Sequence, residues 1–423
     1  MFEQTRFEGT LSGHGHRQPI AFTAEVDRDG VLAVRLGRLP STDAAHGLLH
    51  FPEPTEPLDR LTLEGEAADG ATFFSDSFSI LSESHTSLPG QELDYQGQCA
   101  VADITRGPAE PYARSSKLWH VRRLSTVHRI SRETELGTVV IGGMDEAANS
   151  QRPSGFIHLL HRDGVVGDEW MERSERLLTH VSRILSFACG SYLTPVVERL
   201  FDGPRERLRV VRRVAAPPPN LAPFSWVHME PIFRLACDTF PGRVDEIARI
   251  DPAIRWLTMP RPTWETELVN AMTAVENLLE VELPGLAKTF QTERAFRRTV
   301  RPVRQHLEDA GVDPGMVDKL PELNRRSFRE KLTALLAERA IVTTDFPDGW
   351  LADMIRTRNH IIHTGALPVG VGDGGGIPGQ VIWAREIATR LILDYLGFEG
   401  GYHSWLNRDR ILDFPSCRPV GDA

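Results

Sequence analysis

Arg358, Asn359 and His363 place a guanidinium, an amide and an imidazole within six positions of one short stretch of expected helix. Together these groups suit metal-free cleavage of a phosphodiester. RNA supplies its own nucleophile, the 2′-hydroxyl, so a protein need only take that proton, protonate the leaving 5′-oxygen and hold the charge on phosphorus. Histidine titrates near pH 6.5 and can do either proton transfer around neutrality. Arginine stays charged and offers a fork of donors to phosphate oxygens where negative charge accumulates. The reading assigns His363 as acid/base, Arg358 as phosphate clamp and Asn359 as the group that orients the imidazole or the ribose.

Helical geometry constrains how these groups meet. At about 100° per residue, Asn359 and His363 share nearly one face, whereas Arg358 sits about 140° from His363. A second copy of the helix across a dimer interface would bring the two together more easily than one chain can. Arg356 lies within about 20° of His363 by the same geometry and is a secondary candidate. His360 is a second possible base, and Glu276 could pair with Arg358 or Arg356, though a plain solvent or interface charge is its simpler reading. Arg294, Arg297, Arg298, Arg301 and Arg304 form a basic run that could hold an RNA backbone, as could Arg205, Arg207, Arg209, Arg212 and Arg213. Charge runs are more often solvated faces, and arginine or histidine near a helix end often only meets its dipole.

The surrounding pattern predicts an α+β chain of several domains. From Ile20 to Leu36 apolar residues alternate about an Asp29-Gly30 turn, as in a hairpin, and similar runs follow at 61–67, 74–80, 119–124, 139–141 and 156–160. A helical stripe begins at Trp170 and continues through Leu177, Leu178, Val181, Ile184 and Leu185. Residues 1–214 therefore read as a β-rich N-terminal domain with one packed helix, and 215–261 as linker and connector around Ala215–Asn220, whose prolines favour extended chain. Residues 262–398 read as a helical bundle, with a capping box at Ser327 and Glu330, and 399–423 as a tail. The motif helix is expected over 348–363 with Trp350, Leu351, Met354, Ile355 and Ile362 buried, closed by a left-handed Gly365, ahead of a last helix over 381–396.

Composition narrows the class. The 423 residues include 48 basic and 58 acidic side chains, a net charge of −10 that argues against indiscriminate coating of nucleic acid. Four widely spaced cysteines suggest reduced thiols and a cytoplasmic protein, and no run is apolar enough for a membrane span or signal peptide. Gly370–Gly375 satisfies a dinucleotide-binding pattern literally but lacks the preceding strand, and His14 with His16 lacks a third metal ligand, so no cofactor or metal is expected. A metal-dependent nuclease would need a carboxylate cluster that the sequence does not display.

The Arg358, Asn359, His363 pattern in helical context resembles the active-site motif of the HEPN ribonucleases. Arg183–Gly190 and the stretch Phe7–Leu11 resemble the N-terminal region of ApeA-type anti-phage proteins. The resemblance implies an all-α HEPN-like bundle after a β-rich sensor or regulatory domain, a composite site at a homodimer or higher oligomer interface, and metal-independent cleavage of structured cellular RNA such as tRNA. It further implies abortive infection as the role, with a phage-derived trigger acting at the N-terminal domain. The alternative kept open is a non-catalytic bundle that binds a nucleotide or a partner chain.

Overall fold

In the computed structural model the described residues are 2–27, 30–37, 60–84, 94–107, 115–143, 153–162, 167–203, 205–211, 222–260, 262–282, 289–371, 376–407 and 410–419. The Ala215–Asn220 linker, Arg212 and Arg213, Asp29 of the hairpin turn and residues 372–375 of the glycine run lie outside them. The chain is α+β, with a β-rich N-terminal region and a helical C-terminal one. It divides into two compact units: 1–185 with 193–218 and 236–242, and 186–192 with 219–235 and 243–423.

The first unit is built on one thirteen-stranded sheet. Strands β1 (Phe2–Gly13), β2 (His16–Val26), β3 (Leu32–Leu36), β4 (Leu61–Ala67), β5 (Thr72–Ser84) and β6 (Asp94–Cys99) run in the order β4-β1-β2-β3-β6-β5, and β4 also pairs with β5, which closes six strands into a barrel. The expected hairpin is present, with Val26 opposite Leu32 and Phe22 opposite Leu36. Alternation of Phe7, Leu11, Ile20, Phe22, Val34 and Leu36 sends every second side chain inward. There the rings of Phe7, Phe22 and Phe73 meet at centroid separations of 5.1 to 5.7 Å.

From β5 the sheet continues through β7 (Val101–Arg106), β13 (Arg205–Val211), β12 (Pro195–Asp202), β8 (Ser116–Val121), β11 (Gly155–His161), β10 (Gly137–Gly143) and β9 (Ile130–Thr134). Helix α1 (Asp168–Cys189) packs through the stripe read from the sequence, with Leu177, Leu178, Val181, Ile184 and Leu185 fully buried. Trp170 anchors its start by donating Nε1–H to the Leu136 carbonyl at 3.0 Å. Buried Lys117 of β8 pairs with Glu175 of the same helix. Glu206, 2% exposed, is held by Arg106 at 2.9 Å and Arg199 at 2.5 Å. Two histidines of this sheet, His120 and His158, are held well below the usual imidazole range, to about 4, first by burial and then by the Arg199 guanidinium.

The second unit holds α2 (Glu230–Ala248, partly), α3 (Asp251–Thr258), α4 (Trp264–Glu282), α5 (Glu293–Asp309), the short α6 (Pro314–Val317), a 3-10 turn (Leu320–Asn324), α7 (Phe328–Glu338), α8 (Trp350–Thr364) and α9 (Gly379–Leu396). The stretch 215–261, read as linker and connector, thus contains helical residues, because Phe233, Ala236, Ile247, Ala253 and Ile254 give it a buried face of its own. The tail forms a three-stranded sheet of β14 (Gly400–His403), β15 (Ile411–Phe414) and β16 (Arg418–Pro419), with Tyr402, Leu412 and Phe414 buried. The capping box at Ser327 and Glu330 is closed in both directions. All four cysteines are free, and burial raises the thiols of Cys99 to about 11 and Cys189 to about 12. No described helix is long and apolar enough to cross a membrane.

Helix α9 is buried on almost every side and carries Arg385, Glu386 and Arg390 inside. Arg390 donates to Asp345, to Glu386 at 2.7 Å and to the Val342 carbonyl at 2.5 Å, while the Tyr402 hydroxyl donates to Glu386 at 2.6 Å. Removing one partner would strand the other charges. Arg390→Ala should therefore cost about 3–5 kcal/mol of unfolding free energy in urea titration. A second expectation comes from the sheet histidines, which stay neutral in the fold while an unfolded chain would take up protons first as pH falls. Stability should hold above about pH 6.5 and decline between there and about pH 4, and the double variant His120→Gln, His158→Gln should remove about 1–2 kcal/mol of that decline per histidine when unfolding is compared at about pH 7 and pH 5.

Candidate functional site

The motif residues sit on α8, whose ends are set by two left-handed glycines. Gly349 at the N-cap and Gly365 at the C-cap both have φ of 78°. At the second, the amide N–H donates to the Ile361 carbonyl at 2.7 Å, a closure that a residue with a β-carbon would strain. Thr364 then folds its hydroxyl onto the His360 carbonyl at 2.8 Å.

The face that α8 buries differs from the expected one. Met354, Thr357 and Ile361 are buried, whereas Ile362 is 51% exposed. These three fall at i, i+3, i+7, so the helix is turned by about one residue relative to the expected seam. Thr357 takes the central core position because its neighbours along the stripe are apolar; a search for apolar residues alone passes over it. The turn of the helix places Arg356, Asn359, His360 and His363 on the exposed side.

Arg358 falls at the flank between the buried and open faces and is 26% exposed. Its Nη2 lies 2.8 Å from Glu276 Oε1 on α4, and its Nη1 donates to Asn359 Oδ1 at 3.4 Å. The buried Nε has no hydrogen-bond partner among the described residues. Glu276 receives this arginine, the pairing weighed for it beside the simpler reading of a solvent or interface charge. Arg356 pairs with Asp353 one turn before it at 3.2 Å. The ring nitrogens of His360 and His363 make no hydrogen bond or ion pair with the described residues. Within one chain the fold therefore brings together Arg358, Asn359 and Glu276, and points His363 away from Arg358, as the 140° offset requires.

Helix α4 holds this arrangement through three carboxylates. Glu276 takes Arg358; Glu267, 1% exposed, takes Arg385 of α9 at 3.2 Å; and Glu265 accepts the Leu367 amide beyond α8 at 3.4 Å. Backbone N–H groups hold the Glu265 carboxyl below the usual range. Between these flanking acids Leu268, Ala271, Met272, Val275, Leu278 and Leu279 are buried, and α9 is the helix against which α4 packs most extensively. Neither Glu265 nor Glu267 was among the site candidates; their spacing in the first turn reads as helix-dipole compensation, which hides a tertiary role.

The basic run lies on α5, where no residue is buried. Arg297 pairs with Glu293, and Arg304 reaches Asp318 at 3.4 Å. Arg297, Arg301 and Arg304 line a groove of about 580 Å³ with Phe296, Val300 and Arg325, while Arg294 and Arg298 stand exposed outside it. Phe296 and Val300, one turn apart between the arginines, were not singled out in the sequence, nor was Arg325 from beyond the 3-10 turn. Arg205, Arg207 and Arg209 of the other run are on β13, two of them lining a cavity with Glu198 and Asp103. Among the described residues no group of three or more histidines, cysteines or acids is placed to hold a metal ion.

No protein-family model, curated protein or solved structure matches the chain. The Arg358–Glu276 pair is half-exposed, so its contribution is that of a surface ion pair. Glu276→Gln should lower stability by less than about 1 kcal/mol in urea titration, with the chain's circular dichroism unchanged.

Proposed function

We propose that the chain is a metal-independent endoribonuclease of HEPN type, cutting structured cellular RNA such as tRNA by attack of the 2′-hydroxyl. His363 moves the proton, Arg358 holds the scissile phosphate, and Asn359 orients the imidazole or ribose. The observation that carries this reading is the exposure of His363 and Asn359 on one open face of α8, beside an arginine whose side chain is already held in place by Glu276. A histidine there is open to solvent and to substrate, and a fixed guanidinium loses little freedom on meeting a phosphate. The 140° offset favours a homodimer or higher assembly in which His363 of one copy serves the Arg358 of another. Arg356 stands nearly in line with His363 and supplies a second cation to the same phosphate, with His360 as a further proton carrier. The α5 groove, with Arg294 and Arg298 exposed outside it on the same helix, guides the RNA backbone.

By the likeness stated above, the role is anti-phage defence through abortive infection in the cytoplasm, the β-rich unit receiving a phage-derived trigger. The competing reading, a non-catalytic module that binds a nucleotide or partner, draws on the Arg358–Glu276 pair, which gives Arg358 a structural task without any substrate.

Incubation of wild type and His363→Ala with total bacterial RNA in EDTA separates the two. Wild type should leave 2′,3′-cyclic phosphate and 5′-hydroxyl ends, and the variant should be slower by about 100-fold or more, the usual worth of a positioned acid or base. Equal cutting by both proteins removes His363 from the chemistry. Absence of cutting by either, repeated with RNA from phage-infected cells expressing the protein, supports the binding module.

A further inference from the structure

Helix α5 presents an apolar stripe that neither the core nor the RNA path explains. At about 100° per residue Phe296, Val300, Val303 and Leu307 fall within about 60° of one another, yet no residue of the helix is buried. The helix packs chiefly against α6 and the 3-10 turn. Phe290 just before it, Val303 on it, Met316 on α6 and Leu323 in the turn are each between 48% and 67% exposed. Apolar surface gathered on neighbouring elements in this way marks contact with another protein. Phosphates account for the arginines of α5 and leave these side chains without a task.

Part of the stripe forms the floor of the groove of about 580 Å³. Phe296 and Val300 lie between the arginines of α5 on one side and Pro321, Asn324 and Arg325 on the other. The two sides are tied together before any guest arrives. The Phe290 amide donates to the Asn324 carbonyl at 2.8 Å, Thr289 pairs with Arg325 as an isolated bridge, and the Asn324 side chain exchanges hydrogen bonds with the Gln291 backbone. A groove already held at its width spends little binding energy on being ordered.

Charge then selects the guest. From Glu293 to Arg304 the helix carries five arginines and one acid, in a chain of net charge −10. Glu293 takes Arg297, while Arg304 is shared between Glu308 at 4.0 Å and Asp318 at 3.4 Å. Arg301 and Arg325, both exposed, make no ion pair or side-chain hydrogen bond among the described residues. Two open cations beside an apolar floor match a large apolar side chain flanked by carboxylates, the cations forming the polar rim of the contact. A second α5 does not fit, since it would bring five more arginines to a face that is already basic.

We propose that this groove docks an acidic segment of a protein partner, with a leucine, methionine or aromatic side chain on Phe296 and Val300 and carboxylates on Arg301 and Arg325. RNA guided along α5 draws on the same arginines, so the segment and RNA exclude each other. That consequence alone rests on the ribonuclease reading.

Selection of random peptides displayed on phage against the immobilised full chain tests the docking, followed by fluorescence anisotropy of the enriched sequences as synthetic peptides. Enriched peptides should carry leucine, methionine or an aromatic residue flanked by at least two acids. Affinity should fall at least ten-fold when the acids are replaced by their amides, when the apolar residue is replaced by serine, and in the double variant Arg301→Ser, Arg325→Ser. Both arginines are exposed, and circular dichroism with urea midpoints verifies that the variant keeps the fold. Enrichment of no acidic peptide overturns the proposal, as does affinity unchanged in the folded variant. Oligouridine binding that is lost in that variant, with no acidic peptide selected, assigns the groove to RNA alone; this also overturns the docking and leaves the ribonuclease reading intact.

Discussion

Burying three charged side chains inside one helix is the constraint around which the second unit is organised. Helix α9 is surrounded by protein along nearly its whole length, yet Arg385, Glu386 and Arg390 face inward. Each ion would cost several kcal/mol if left without a counter-charge, so the fold must supply partners from elsewhere in the chain. Asp345 and the Val342 carbonyl come from the segment before α8, Glu267 and the Leu257 carbonyl from α4 and α3, and Tyr402 with the Trp405 amide from the C-terminal segment. Arg385 also lies over the Trp405 ring at 4.3 Å. Elements far apart in sequence are thereby required to converge on one helix with hydrogen-bond geometry, which apolar contact alone would not enforce.

The motif helix inherits its position from this arrangement. Helix α4 is fixed to α9 by packing and by Glu267, and α8 is then fixed to both through Met354, Thr357 and Ile361 and by the Arg358–Glu276 contact. Two glycines limit α8 to fifteen residues, and the open face is what remains after the core has taken its share. The proposed function draws on that remainder: polar side chains that the core does not need, held on a helix that the core holds firmly.

Much of this was legible in the sequence wherever a local period controls the outcome. The hairpin of β2 and β3, the stripe of α1, the capping box of α7 and the glycine ends of α8 and α9 all follow from neighbours within a few residues. What escaped depends on long-range pairing. Alternation in six strands says nothing of the β4–β5 contact that closes them into a barrel. Thr357 displaced Ile362 from the core because a buried threonine leaves no apolar signal, and that one-residue turn of α8 decides which groups face solvent. Glu267 and Glu265 looked like ordinary acids of a helix; their partners lie 118 and 102 positions away.

Helix α5 stands apart from this logic of burial. It spans seventeen residues with none of them buried, and it relies on a Thr292 cap, on ion pairs one turn apart, and on Asn324, whose amide holds the backbone of Gln291 in both directions at 2.9 Å. Helices of this kind open locally far more readily than the core does, since little apolar surface is lost when they fray. Four of its five arginines are also residues after which trypsin cuts, the exception being Arg301, which precedes Pro302. Limited digestion of the native protein therefore has a preferred entry point in α5, and an occupant of the groove that stabilises the helix would be recorded as protection of those bonds.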